Sequence, residues 1–196
     1  MVCKYILSPD FSSVSNDVNC VEFVELNKAF QILVLNQEHV FLNTYEIASP
    51  FWTNFILYDF STANFAWKNR IMNYTEGRSL RQAIDYDPID NLIYSWHVHS
   101  YTSHLLMFIL NATTGDQQGA TYYRLGVFNC IDIFYYNKFV YGIIYSEYNL
   151  DFKLLLIVAN VTDPNTLTFA TYQQVIGNKL DSLFVDPTSQ RLFLGI

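Results

Sequence analysis

Two groups of side chains have the types and spacing to do chemistry. The first is His97-Val98-His99, with His104 shortly after. Residues two apart on an extended strand share a face, so both imidazoles project the same way. That is the spacing used by strand-borne zinc or copper sites, and His104 lies just across a turn, near enough to complete a three-histidine set. No Cys or carboxylate accompanies them. The competing reading is an amphipathic strand end, Trp96-His97-Val98-His99, with its histidines in solvent.

The second group is a recurring quartet: Cys20-Val21-Glu22-Phe23, Ala83-Ile84-Asp85-Tyr86, Cys130-Ile131-Asp132-Ile133 and Ser182-Leu183-Phe184-Val185. In the first three a small residue and an acid share one strand face; in the last, Phe184 replaces the acid. If these strands line a common channel, Glu22, Asp85 and Asp132 form part of an acidic ring able to hold Ca²⁺ through oxygen ligands. Alternatively, each carboxylate accepts backbone N–H groups from the neighbouring unit and fastens the units together. Gly-x-Ser-x-Gly, His-Glu-x-x-His and P-loop spacings are absent, so no catalytic residue is assigned.

These quartets sit inside a larger repeat. Asn19-Cys20-Val21-Glu22-Phe23-Val24-Glu25-Leu26-Asn27-Lys28 matches Asn129-Cys130-Ile131-Asp132-Ile133-Phe134-Tyr135-Tyr136-Asn137-Lys138 in one register. A second match joins Tyr86-Asp87-Pro88-Ile89-Asp90-Asn91-Leu92-Ile93-Tyr94 to the stretch around Val185-Asp186-Pro187, each reading as strand, turn, strand. Laid out, the unit has four strands, A to D. They span 83–86, 92–99, 104–110 and 120–124 in one copy, and 130–134, 139–145, 153–159 and 167–173 in the next. The ends of strand C align too: Tyr58-Asp59-Phe60-Ser61, Leu110-Asn111-Ala112-Thr113 and Ala159-Asn160-Val161-Thr162. The first copy is stretched by residues around 43–52.

Four short strands recurring about every 50 residues predict an all-β fold of antiparallel four-stranded blades, a β-propeller. Three blades, at about 19–73, 83–125 and 130–175, and a partial one at 181–196 make a single domain or part of one. A β-sandwich of similar hairpins is the alternative. The Asp-Pro between strands A and B, at Asp87-Pro88 and Asp186-Pro187, resembles the YVTN/NHL/YWTD-type propellers. That resemblance implies a propeller scaffold and points to no one function. A ring of roughly six to eight blades, of which this is a segment, is the reading adopted. A four-bladed ring completed by the segment around 4–7 is the other.

In such a blade the D–A and B–C turns share one rim. Asn19, Ser100, Tyr101, Asn129 and Tyr148 would line it. Trp96, Tyr101 and Tyr148 suit stacking on carbohydrate or peptide, or else pack between blades. Sequons occur at Asn73, Asn111 and Asn160. The last two fall at equivalent C–D turns, so glycans there would leave the rim free.

Composition bounds the partners. The net charge is −7 and only 15% of residues are charged, against roughly 25% in typical soluble domains. An acidic chain without a Lys/Arg cluster is a poor match for nucleic acid. The apolar runs, such as Leu105 to Leu110, have strand length and are too short to be transmembrane segments. Cys3, Cys20 and Cys130 neither make a disulfide framework nor show metal-ligand spacing. Low Lys content with abundant Tyr, Asn, Ser and Thr tilts the expectation towards an extracellular or lumenal setting. The expected role is a non-enzymatic module that presents its loop-rich rim to a protein or glycan. The alternatives are a propeller enzyme acting on sugars or esters at the channel mouth, and a structural subunit pairing its edge strand at 192–196 with another chain.

Overall fold

Runs of Ile, Leu, Val, Phe and Tyr broken by Asn- and Asp-containing turns favour extended chain over helix. The computed structural model describes residues 2–4, 19–21, 28–45, 51–74, 79–99, 104–124, 129–148, 151–163, 166–176, 182–186 and 191–195. Among them every regular element is a strand. Strands β1 (Val2–Lys4) and β2 (Asn19–Val21) form a two-stranded ladder. A first four-stranded sheet holds β3 (Lys28–Val34), β4 (His39–Tyr45), β5 (Phe51–Asp59) and β6 (Asn64–Tyr74). A second holds β7 (Ser79–Asp87), β8 (Leu92–His99), β9 (His104–Asn111) and β10 (Gln117–Arg124). A third holds β11 (Asn129–Tyr136), β12 (Phe139–Tyr148), β13 (Asp151–Asn160) and β14 (Thr168–Ile176). Strands β15 (Ser182–Asp186) and β16 (Arg191–Gly195) close a last hairpin. All pairings are antiparallel between sequence neighbours, so each sheet is a meander. None of the described residues forms a helix long and apolar enough to cross a membrane.

The turns follow from their residues. Asn137 and Lys138 both have positive φ, 48° and 69°, and make a two-residue connection between Tyr136 and Phe139. That backbone twist matches the twist of the strands it joins. Asp87 closes the β7–β8 turn by accepting the N–H groups of Ile89 at 2.9 Å and Asp90 at 3.3 Å. Asn36 does the same between β3 and β4, accepting from Glu38 and His39, both at 2.9 Å.

The sheets stack face to face. Phe41, Phe55 and Leu57 of the first sheet meet Ile84, Ile93, Phe108 and Leu110 of the second. On the other face of the second sheet, Ala83, Tyr94, Trp96, Leu105, Met107 and Ile109 meet Ile133, Val140, Leu155, Ile157 and Ala159 of the third. Covered on both faces, β9 lacks the polar alternation of a half-exposed strand, which is why Leu105 to Leu110 reads as a continuous apolar run. Each large side chain buried here contributes about 1.5–3 kcal/mol relative to exposure.

The first copy of the repeat is corrected by this topology. Its first strand is β3, not the segment around Cys20, because Asn19–Val21 pairs with Val2–Lys4. The match between Asn19-Cys20 and Asn129-Cys130 is a likeness of residues in different ladders. With β3 opening the sheet, residues 43–45 are the end of β4 and 51–52 the start of β5.

Candidate functional site

The Asp85 carboxylate joins two sheets. Its Oδ2 accepts the backbone N–H of Tyr135 on β11 at 2.6 Å, and its Oδ1 accepts the N–H of Tyr86 at 2.8 Å. Burial raises the Asp85 pKa, while these two bonds pull the other way. This is the fastening geometry weighed above against a cation. Beside it Tyr94 and Tyr135 stack with ring centroids 5.0 Å apart and planes 10° apart. Burial, then the Asp87 carboxylate, push the Tyr135 hydroxyl up to about 12. Glu22 lies outside the described residues. Strand β3 carries no Asp or Glu, so the first sheet contributes no equivalent acid. Asp132 sits on β11 after a shift in register at Cys130.

His97 is fully buried between the first and second sheets. Its ring is flanked edge-on by Phe55 and Phe108, each with a centroid separation of 5.5 Å. Nε2 is hydrogen-bonded to Ser95 Oγ at 2.8 Å, and Asn43 Nδ2 of β4 lies 3.5 Å from it. Asn43 Nδ2 also donates to Ser95 Oγ at 3.4 Å. Burial lowers the His97 pKa to about 3, so the ring is neutral. The expectation of solvent-facing histidines therefore fails at His97, because this face of β8 is turned inward against β4 and β5. His99 and His104 are ladder partners. Among the described residues no group of three His, Cys, Asp or Glu side chains is gathered as for a metal.

This buried polar cluster was not foreseen as a unit. Asn43 Oδ1, His97 Nδ1 and Gln31 Oε1 are all buried without a hydrogen-bond partner among the described residues. Gln31 and Asn43 are opposite each other in the β3–β4 ladder, so they share a face. Ser95 and His97 lie towards the end of β8 that leads into the 100–103 connection. The only sequence signal was alternation: Asn43 follows Phe41 and precedes the 46–50 segment, and Ser95 and His97 alternate with Tyr94 and Trp96.

Trp96, expected on an exposed rim, is 2% exposed and belongs to the core between the second and third sheets. Its ring lies over Gly142 so closely that a Cβ there would overlap Trp96 Cζ3. Asn19 faces Lys4 in the β1–β2 ladder, so the equivalence with Asn129 that placed it on the rim does not hold. Asn129 starts β11 opposite Tyr145, and Tyr148 ends β12 opposite Asp151. Ser100 and Tyr101 lie outside the described residues.

The C–D turns are alike. Asp59 accepts the Ser61 N–H at 2.8 Å, Asn111 the Thr113 N–H at 2.9 Å and Asn160 the Thr162 N–H at 3.0 Å. The middle residues, Phe60, Ala112 and Val161, are all buried beneath their turns. An Asx residue, an apolar plug and a hydroxyl residue thus make the turn, so the Asn-x-Thr pattern at Asn111 and Asn160 has a structural role. Asn73 is on β6. The second-sheet turn also receives the first sheet: Trp67 Nε1 donates to Ala112 O at 3.0 Å and Asn69 Nδ2 to Gly115 O at 2.5 Å.

No protein-family model and no curated protein matches this chain. Fold and geometry carry the functional reading.

Proposed function

We propose that the stacked sheets are blades of a β-propeller and that the chain is a binding module. It presents the end where the B–C connections gather to a protein or glycan. The observation that carries this reading is that Asn43 Oδ1, His97 Nδ1 and Gln31 Oε1, towards that end, have no hydrogen-bond partner among the described residues. At the opposite end Asn36, Asp59, Asp87, Asn111 and Asn160 bond their own turns, although Asp87 Oδ2 also has no hydrogen-bond partner among the described residues. A buried polar atom left unbonded costs about 1–3 kcal/mol, so a ligand donor reaching between β4 and β8 would recover that energy. Tyr101, Tyr148, Ser100 and Asn129 would supply the surrounding surface, and an aromatic ring there can stack on a sugar or a peptide plane.

The test is capture of the purified chain on an immobilised oligosaccharide array and by a displayed random-peptide library. Binding should fall in Tyr101→Ala and Tyr148→Ala and persist in Lys138→Ala, at the far end. Capture on neither surface would overturn the reading. So would turnover of nitrophenyl glycosides or esters lost with the same tyrosines, which would favour an enzyme.

An assembly role has its own support. The face of the third sheet turned away from the second leaves Tyr136 40% and Phe139 36% exposed, and Phe193 of β16 is 51% exposed. Sedimentation of wild-type chain beside Phe193→Glu reads this directly. Association that grows with concentration and vanishes in the variant supports pairing through the last hairpin.

A further inference from the structure

The β1–β2 ladder makes Cys3 and Cys20 direct partners, flanked by Val2 opposite Val21 and Lys4 opposite Asn19. We propose that Cys3 and Cys20 form a disulfide across this ladder. Directly opposed residues in an antiparallel pair share one face, with Cα atoms about 4.5 or 5.5 Å apart depending on the hydrogen-bonding position. Both separations fall within the span of about 4.4–6.8 Å that a disulfide bridges. Cys130 is on β11 in the third sheet, next to the register shift, and has no cysteine in its ladder. The odd count therefore divides into a matched pair and one remaining thiol.

The pair links residues separated by the 4–19 segment. A lone two-stranded ladder is marginal in water, so it gains more from a covalent tie than any of the four-stranded sheets. The chemistry needs an oxidant, and a small-molecule disulfide supplies it. One cysteine thiolate attacks a sulfur of the oxidant, whose S–S bond breaks and releases a thiolate that takes up a proton. The second cysteine thiolate then attacks the protein-bound sulfur of the mixed disulfide, forming the Cys3–Cys20 bond and releasing the second small thiol. Two protein thiols are oxidised and one small disulfide is reduced.

The test uses the whole chain incubated with oxidised glutathione, quenched with N-ethylmaleimide and read by intact mass and peptide mapping. The expected product carries one maleimide, on Cys130, and a Cys3–Cys20 linked peptide pair. Cys130→Ser should keep the link and carry no maleimide. Formation should be faster in native buffer than in concentrated urea, by on the order of tenfold or more, because the ladder has already closed the loop. Three maleimides after oxidation, a disulfide containing Cys130, or separate glutathione adducts on Cys3 and Cys20 would each overturn the assignment. Equal rates in buffer and urea would overturn it too, since the pairing would then owe nothing to the ladder.

Discussion

Acid should loosen the seam between the first and second sheets through His97. In the folded chain its pKa is about 3, against an ordinary 6.5, because burial between Phe55 and Phe108 opposes the charged ring. Between those values the unfolded chain holds a proton that the folded chain does not. Stability from this group is therefore complete above pH 6.5 and is lost as pH falls towards 3. The slope is about 1.4 kcal/mol per pH unit, so pH 5 should cost about 2 kcal/mol relative to pH 7. Against a total of roughly 5–15 kcal/mol that is readily measured. The assay is urea unfolding at pH 7.5, 6 and 5 for the wild type and for His97→Gln, whose amide can still meet Ser95 but does not titrate. Every other group is common to both proteins and cancels in the comparison. The variant should start less stable at pH 7.5 and lose less on acidification, the two curves converging by about 2 kcal/mol at pH 5. Parallel curves would refute the reasoning, because the His97 proton would then cost the same in both states.

Four further outcomes follow from contacts described above. Gly142→Ala forces a methyl group against the Trp96 ring and should cost about 1–3 kcal/mol in urea unfolding, and less than that when it is added to Trp96→Leu. Asp85→Asn keeps an oxygen for the Tyr135 N–H and should melt close to wild type. Asp85→Leu leaves that N–H unbonded and should cost about 1–3 kcal/mol by the same assay. Trp67→Phe removes the donor to Ala112 O and should cost about 1 kcal/mol, with faster amide exchange in the 111–116 turn. Lys138→Met breaks a half-exposed ion pair with Asp90 and should change stability by about 0–1 kcal/mol, less still in high salt.

The strands of the second and third sheets were legible because their boundaries carry local chemistry: Asp87-Pro88, Asn137-Lys138 and the Asx-apolar-hydroxyl turns at Asn111 and Asn160. The start of the first sheet was not legible, because the ten-residue likeness to 129–138 pointed to the segment around Cys20, whereas the sheet opens with β3. The acid of the quartet was legible at Asp85, whose local spacing is real, yet the proposed ring depended on Glu22 lying in an equivalent strand. Trp96 and His97 were misplaced for one shared reason. Sequence alternation distinguishes the two faces of a strand, but it cannot say that both faces are covered. In β8, Tyr94 and Trp96 turn to one sheet while Ser95 and His97 turn to the other, so neither face is a solvent face. The pairing of Cys3 with Cys20 was hidden likewise, since only the ladder brings them opposite each other.

The two seams are built from different chemistry, and the difference has a physical reason. Apolar burial is non-directional, so it holds two sheets together without fixing how one lies on the other. Directional bonds are needed for that. Between the second and third sheets the alignment comes from Asp85 reaching the Tyr135 backbone and from the ring of Trp96 over Gly142, contacts that tolerate little sliding. Between the first and second it comes from Trp67 and Asn69 gripping the 111–116 turn and from the Asn43, Ser95 and His97 cluster. The grip at the turn is fully bonded. The cluster is not, because Asn43 Oδ1 and His97 Nδ1 have no partner among the described residues. A seam fixed firmly at the turn end and incompletely satisfied towards the other can yield at that second end at lower cost. On the binding reading proposed above, the same residues that make the first seam acid-sensitive are the ones a polar ligand would meet.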